Sequence, residues 1–221
     1  MSKEHNIELK HYPIDEITLA PNPRPADKIK PDAIEEIAES ILEHGILQPP
    51  LARMLEGDKP QLYIGQRRYF GLTRALQLAE ERGLPADVIE RLRRMPLLVR
   101  VIDDRAMLEQ QWIENLQRED VTPRDEALGF DFMHRTLGYT LDEIGHKIGK
   151  TKGYVSNRLK LMGAPDILWK AFEEGRVGTR HLELVGGIPH PKDREEAARA
   201  ILKPQYQNRA MTVLEATELV G

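Results

Sequence analysis

The chain has no cysteine among its 221 residues, which removes disulfides, thiolate metal ligands and any mechanism built on a cysteine nucleophile. It also lacks an unbroken apolar stretch long enough to cross a bilayer, so a membrane-spanning protein is not expected. Its first residues, MSKEHNIELK, have neither the apolar core nor the small-residue cleavage site of a secretory signal, which predicts a cytoplasmic protein. There is no excess of positive charge. The formal net charge of -4 argues against indiscriminate coating of nucleic acid, because phosphate binding needs concentrated Lys and Arg. His44, His134, His146, His181 and His190 form no ligand-spaced pair of the kind a zinc site needs, and read as surface or satisfied core residues.

What is present is a soluble-type balance of 40% apolar and 31% charged residues, in a length that suits one or two domains. Two are expected. Ile14 to Leu19, Leu51 to Leu55, Leu62 to Ile64 and Leu97 to Ile102 are short apolar runs bounded by Pro, Gly or Asp, as strands tend to be. Between them, Ile34, Ile37, Ala38, Ile41 and Leu42 recur at helical spacing after Pro31 and before Gly45. A second helix is predicted from Gln66 to about Arg82. From Arg105 onward the strand signals stop, and consecutive helices follow. The boundary is placed near residue 120, giving domains 1–120 and 121–221. Thr122, with Pro123 and Asp125, reads as a helix start. Thr140 with Glu143 and Thr212 with Glu215 fit the capping box.

Charge is not spread evenly. Between Thr140 and Gly163, Lys147, Lys150, Lys152, Arg158 and Lys160 face only Asp142 and Glu143. Leu141, Ile144 and Ile148 make one apolar stripe, Val155, Leu159 and Met162 another, and Gly149 separates them. This is the pattern of a helix-turn-helix at about 140–163, whose second helix enters a DNA major groove. Gly145 is expected to let the two helices cross closely. Thr151, Lys152 and Tyr154 then open the recognition helix, and Asn157, Arg158 and Lys160 extend along its exposed side. Lys150 and Lys152 suit phosphates. The competing reading is a helical hairpin with a solvated basic face.

Two segments suit anions. YIGQRRYFG sets Gly65 after a strand and Arg67 and Arg68 at a helix start, where backbone amides and the helix dipole favour a phosphate. WIENLQREDVTP offers Glu114, Asn115, Gln117 and Arg118, and Mg2+ on a triphosphate commonly takes one protein carboxylate. Solvated arginines and a polar helix end are the plainer readings.

In this order along the chain, the segments resemble the ParB-type partition proteins. PDAIEEIAESILEHGILQPP resembles the family's first box, YIGQRRYFG its Gly-Glu-Arg-Arg box and ENLQRED its second phosphate motif. EEGRVGTRHLELV resembles a segment that supports DNA contact, and TVLEATELV the helix closing the central domain. The resemblance implies an α+β N-terminal ParB/sulfiredoxin-like domain followed by an all-α helix-turn-helix domain. It implies a CTP-dependent, sequence-specific DNA clamp acting in chromosome or plasmid segregation. CTP and Mg2+ are its cofactors, and weak hydrolysis of CTP to CDP and phosphate acts as a switch. Double-stranded DNA with a centromere-like site, a second copy of the chain and a ParA-type ATPase are its partners, in the cytoplasm on the nucleoid.

Carried over by residue, Gln48 lies near the attacking water, as the catalytic candidate. Gln48, Gly65, Gln66, Arg67, Arg68, Tyr69, Glu114, Asn115 and Arg118 form the nucleotide set, with Glu114 and Asn115 serving the metal. Lys150, Thr151, Lys152, Tyr154, Asn157, Arg158, Lys160, Thr179, Arg180 and His181 form the DNA set. Gln66 stands where the box has glutamate, so CTP binding is implied more firmly than hydrolysis. Asn22, Pro23, Arg24 and Pro25 match only loosely the family's Asn-x-x-Gln-Pro-Arg stretch. Full-length members continue into a dimerisation domain, which places Gly221 at the end of the central domain.

Two other classes compete. A nucleotide-independent regulator would use only the helix-turn-helix. A catalyst on the same N-terminal fold is the other: sulfiredoxin chemistry needs the absent cysteine, and a kinase leaves the helix-turn-helix unexplained. A two-metal nuclease needs a denser carboxylate cluster than the sequence has.

Overall fold

The computed structural model describes residues 7–21, 31–203 and 210–220; Asn22, Pro23, Arg24 and Pro25 lie outside the described residues. The chain divides into two units, 1–111 and 112–221.

The first unit is built on a five-stranded mixed sheet of order β1-β5-β3-β4-β2. Its strands are β1 (Glu8–Pro13), β2 (Thr18–Leu19), β3 (Leu51–Met54), β4 (Pro60–Ile64) and β5 (Arg94–Arg100). β1 runs antiparallel to β5 and β3 to β4, whereas β3 with β5 and β2 with β4 are parallel. Helices α1 (Pro31–His44), α2 (Gln66–Glu81) and α3 (Ala86–Leu92) pack with the sheet through Ile41, Leu62, Leu72, Leu78, Leu92 and Leu97. Neighbours on β4 alternate between faces. Leu62 joins that core, while Tyr63 joins a smaller cluster with Met107 and Leu108 of α4 (Asp104–Leu116). α4 therefore covers the opposite face.

Several expectations shift. β1 has no signal in the sequence reading, because ELKHYP carries little apolar periodicity and the strand is a largely exposed edge. The run Ile14 to Leu19 forms a 3-10 turn at Ile14–Glu16 and only two strand residues. The two compact units divide inside α4, between residues 111 and 112. The reason is packing: Trp112, Ile113 and Leu116 join the core of the second unit, with Trp112 stacked on Phe132 at 5.3 Å.

The second unit is all helical. Its elements are the end of α4, then α5 (Pro123–Arg135), α6 (Leu141–Ile148), α7 (Lys152–Lys160), α8 (Asp166–Glu173), α9 (Thr179–Gly186), α10 (Pro191–Leu202) and α11 (Val213–Val220). The expected starts are in place. Thr122 Oγ1 accepts the Asp125 N–H, and Thr140 and Glu143 exchange side chain-to-backbone bonds at 3.2 and 2.8 Å. Thr212 and Glu215 do the same before α11. Such a cap contributes about 1 kcal/mol to a helix of this kind. The Thr140 bonds also hold the Glu143 carboxyl below the usual carboxylate range. Thus the α+β first half and the helical second half of the sequence reading are the architecture observed.

Candidate functional site

The first candidate begins where β4 meets α2. A bulge pairs Leu51 with Ile64 and Ala52 with Leu62, so Tyr63 has no opposite residue on β3. Gly65 follows in the left-handed region, at φ 94°, and a Cβ there would sit 2.9 Å from Cβ of Pro50. Only glycine meets both demands. Gly65 has no side chain to cap α2, and the first turn of α2 contains no carboxylate, an arrangement compatible with an anion at the positive helix end.

The expected residues of this unit take different stations. Arg67 is exposed and has no partner among the described residues. Arg68 donates to Gln48 Oε1 at 3.0 Å, which brings the Gln48 of the first box onto the same turn. Gln66 does not stand open toward a ligand: its amide donates to the Ala20 carbonyl at 2.6 Å. Tyr69 packs against the first core, edge-on to Phe70.

Glu114, Asn115 and Arg118 belong to the second unit. Glu114 is exposed and Asn115 half-buried, and neither side chain has a partner among the described residues. Arg118 is held as a fork by both carboxylate oxygens of Asp120, at 3.0 and 3.1 Å. One free carboxylate beside one amide is a donor set that suits Mg2+ already carried by phosphates. Among the described residues, no group of three or more His, Asp or Glu could hold a metal unaided.

The third candidate is the pair α6 and α7. Gly149 ends α6 at φ 71°, and Thr151 caps α7 by accepting the Tyr154 N–H at 3.2 Å. A Cβ at Gly145 would lie 2.6 Å from the Lys150 carbonyl. Its smallness therefore admits the backbone of the turn, rather than a crossing of the two helices as the sequence suggested. Lys152 is exposed, with no partner among the described residues. Lys150 lies over the Tyr154 ring, 5.3 Å from its centre, and Lys160 donates to Asn157 Oδ1 at 3.1 Å.

Three residues of the DNA set are tied into the protein itself. Arg158 is not on the exposed side: its side chain is 18% exposed, its Nε donates to Glu126 at 2.6 Å, and its Nη1 lies 3.5 Å from Glu183. The Tyr154 hydroxyl donates to the same Glu126 carboxylate, at 2.7 and 2.8 Å from its oxygens. Burial, then the Glu126 carboxylate, pushes the Tyr154 hydroxyl above its ordinary pKa. His181 is buried at 6% exposure. Its Nδ1 accepts the Gly178 N–H at 3.1 Å and its Nε2–H donates to the Met211 carbonyl at 2.9 Å. It is a satisfied core histidine, the plainer of its two readings. Thr179 is half-buried at the start of α9, and the exposed Arg180 pairs with Glu183 at 3.0 Å.

Glu126 and Glu183 were missed because their partners lie far off in sequence; Glu126 looks locally like an acidic residue in a first helical turn. Removing Glu126 leaves a phenol and a guanidinium half-buried without their acceptor. Glu126→Ala is expected to cost about 2 kcal/mol of stability, below the range for a fully buried pair. Glu126→Gln, which keeps an acceptor, costs less. Chemical denaturation of the two variants checks the order.

The chain matches the ParB N-terminal domain over residues 1–116 and the ParB HTH domain over residues 119–218. The chain belongs to the ParB family. Among its relatives, the chromosome-partitioning protein Spo0J of Thermus thermophilus is 34% identical, over 84% of this chain and 63% of its own length. The stage 0 sporulation protein J of Bacillus subtilis is 29% identical, over 95% and 70%. The chain thus spans roughly two thirds of these ParB relatives. A C-terminally truncated ParB of Caulobacter crescentus, solved in complex with the centromeric parS site, is 25% identical. It matches with a TM-score of 0.66, over 96% of this chain and 98% of that one.

Proposed function

We propose that the chain is a CTP-dependent, sequence-specific DNA-binding clamp of the ParB type, acting in chromosome or plasmid segregation. The observation that carries the reading is the likeness over nearly the whole chain to a ParB solved on its parS site, together with relatives named for chromosome partitioning. A basic helix-turn-helix in an otherwise acidic chain fits such a DNA partner.

In the first unit, Gly65 and the start of α2 receive the triphosphate, Arg67 and Arg68 pair with its oxygens, and Gln48 is presented by Arg68. Glu114 and Asn115 serve Mg2+, which neutralises phosphate charge when bound, while Arg118 answers first to Asp120. The choice of cytosine rests on the family resemblance. In the second unit, Lys150, Lys152 and Lys160 face phosphates, Asn157 and Thr179 lie near the bases, and Arg180 can exchange Glu183 for the DNA backbone. Thr151 acts through its cap. Tyr154, Arg158 and His181 support this surface from within.

CTP favours one arrangement of a dimer and target DNA promotes it, so the nucleotide must bind that closed state more tightly. Hydrolysis to CDP and phosphate would reset the switch. The working partners are a centromere-like site, a second copy and a ParA-type ATPase, with the protein cytoplasmic and on the nucleoid. No helix among the described residues is long and apolar enough to cross a membrane.

Calorimetry with each of the four ribonucleoside triphosphates and Mg2+, with and without centromeric DNA, tests the reading. Selective CTP binding is expected. If no triphosphate binds under either condition, the nucleotide-independent regulator takes its place.

A further inference from the structure

Two glutamines meet at one short stretch of backbone. As the chain leaves β2, the Ala20 carbonyl accepts the Gln66 amide at 2.6 Å, and the next carbonyl, of Pro21, accepts the Gln111 amide at 3.0 Å. The same Gln111 nitrogen donates to the carbonyl of Tyr63, at 3.0 Å. Tyr63 is the bulge residue of β4, left without an opposite number on β3, and its carbonyl accepts from Gln111 of α4. Gln110, the neighbour of Gln111, holds the other end of Tyr63 by accepting its hydroxyl at 2.7 Å. Gln111 is 2% exposed, so its bonds are closed to water.

We infer that Gln66 is a positioning residue: with Gln111 it clasps the exit of β2 to the start of α2, and so sets the turn that presents Gly65, Arg67 and Arg68. Both glutamines act as donors to carbonyl oxygens. At position 66 this requires a neutral side chain, because an ionised carboxylate has no hydrogen to give and would oppose the Ala20 carbonyl, oxygen against oxygen. The amide at 66 is thus matched to this backbone, and its contribution to nucleotide binding passes through Ala20 rather than through a phosphate. The effect on nucleotide rests on the CTP reading above; the clasp itself does not.

The test is Gln66→Glu, compared with the wild type and with Gln66→Met from pH 5.5 to 7.5. In the folded variant the new carboxyl should hold its proton above the ordinary glutamate range near pH 4.3, since only the protonated form can donate. A folded-state pKa raised above the unfolded one means that stability relative to wild type falls as pH rises through that value. Because the loss begins above the unfolded-state value, Gln66→Glu should already melt below wild type at pH 5.5 and lower still at pH 7.5, while Gln66→Met shows a deficit that does not vary with pH. Mg2+–CTP affinity should follow, at least about tenfold weaker than wild type at pH 7.5 for a lost bond that has become repulsive, and recovering on acidification.

Equal melting of Gln66→Glu and wild type at pH 7.5 overturns the inference. So does a binding loss that ignores pH and leaves melting unchanged, which would place residue 66 on the ligand, and so does failure of the variant to fold at pH 5.5. Should the wild type bind no CTP, the nucleotide reading fails by itself, and the melting profile still decides the clasp.

Discussion

Arg67→Ala should lower the affinity for Mg2+–CTP by about 100-fold, the equivalent of about 3 kcal/mol for a guanidinium that donates two charge-assisted bonds to phosphate. Its melting temperature should not move, because Arg67 is exposed and supports nothing else among the described residues. That combination separates binding from folding. Arg68 is the informative contrast: it already donates to Gln48, so Arg68→Ala removes a protein bond together with a phosphate partner. A modest loss of stability should then accompany weaker binding. Replacing Arg67 by Lys keeps the charge and loses the fork, so an intermediate affinity is expected. If Arg67→Ala binds CTP as the wild type does, the start of α2 is not the phosphate site, however well its glycine and its dipole suit one.

The two phosphate-type segments illustrate how far the sequence carries. The place of Gly65 between a strand and a helix was legible, because β4 and α2 on either side carry local signals, whereas its left-handed φ and its close approach to Pro50 come from the structure. The helices and caps were legible for the same reason. Their signals, Thr122 with Asp125 and Thr140 with Glu143, span one turn of chain. Polar networks were not. Glu126 reaches residues 28 and 32 positions away, and Gln111 reaches Pro21, 90 positions away. No local spacing distinguishes these from solvated side chains. The edge strand β1 was lost for a related cause, since it is specified by pairing with β5 rather than by its own apolar period. His181, Tyr154 and Arg158, which the resemblance put in the DNA set, make bonds within the second unit that no local signal announces.

These internal bonds set Tyr154, Arg158 and His181 apart from the lysines, whose expected effect is different. Lys150 and Lys152 flank the cap of α7, both exposed, with no carboxylate partner among the described residues. A lysine on a phosphate contributes affinity with little dependence on base sequence, by releasing condensed counterions. Lys150→Ala with Lys152→Ala should therefore weaken binding to the centromeric site and to random DNA alike, and flatten the slope of log K against log salt by about one unit per lysine. Arg158→Ala should behave differently. It breaks the joint with Glu126 and Glu183, lowers the melting temperature of the second unit and loosens α7, so the specific site suffers more than random DNA while the salt slope stays near that of wild type. Anisotropy titrations of both variants on both DNAs, across a range of salt, read these patterns directly. A salt slope that drops for Arg158→Ala, and holds for the lysine pair, would put the arginine on the DNA and the lysines in solvent.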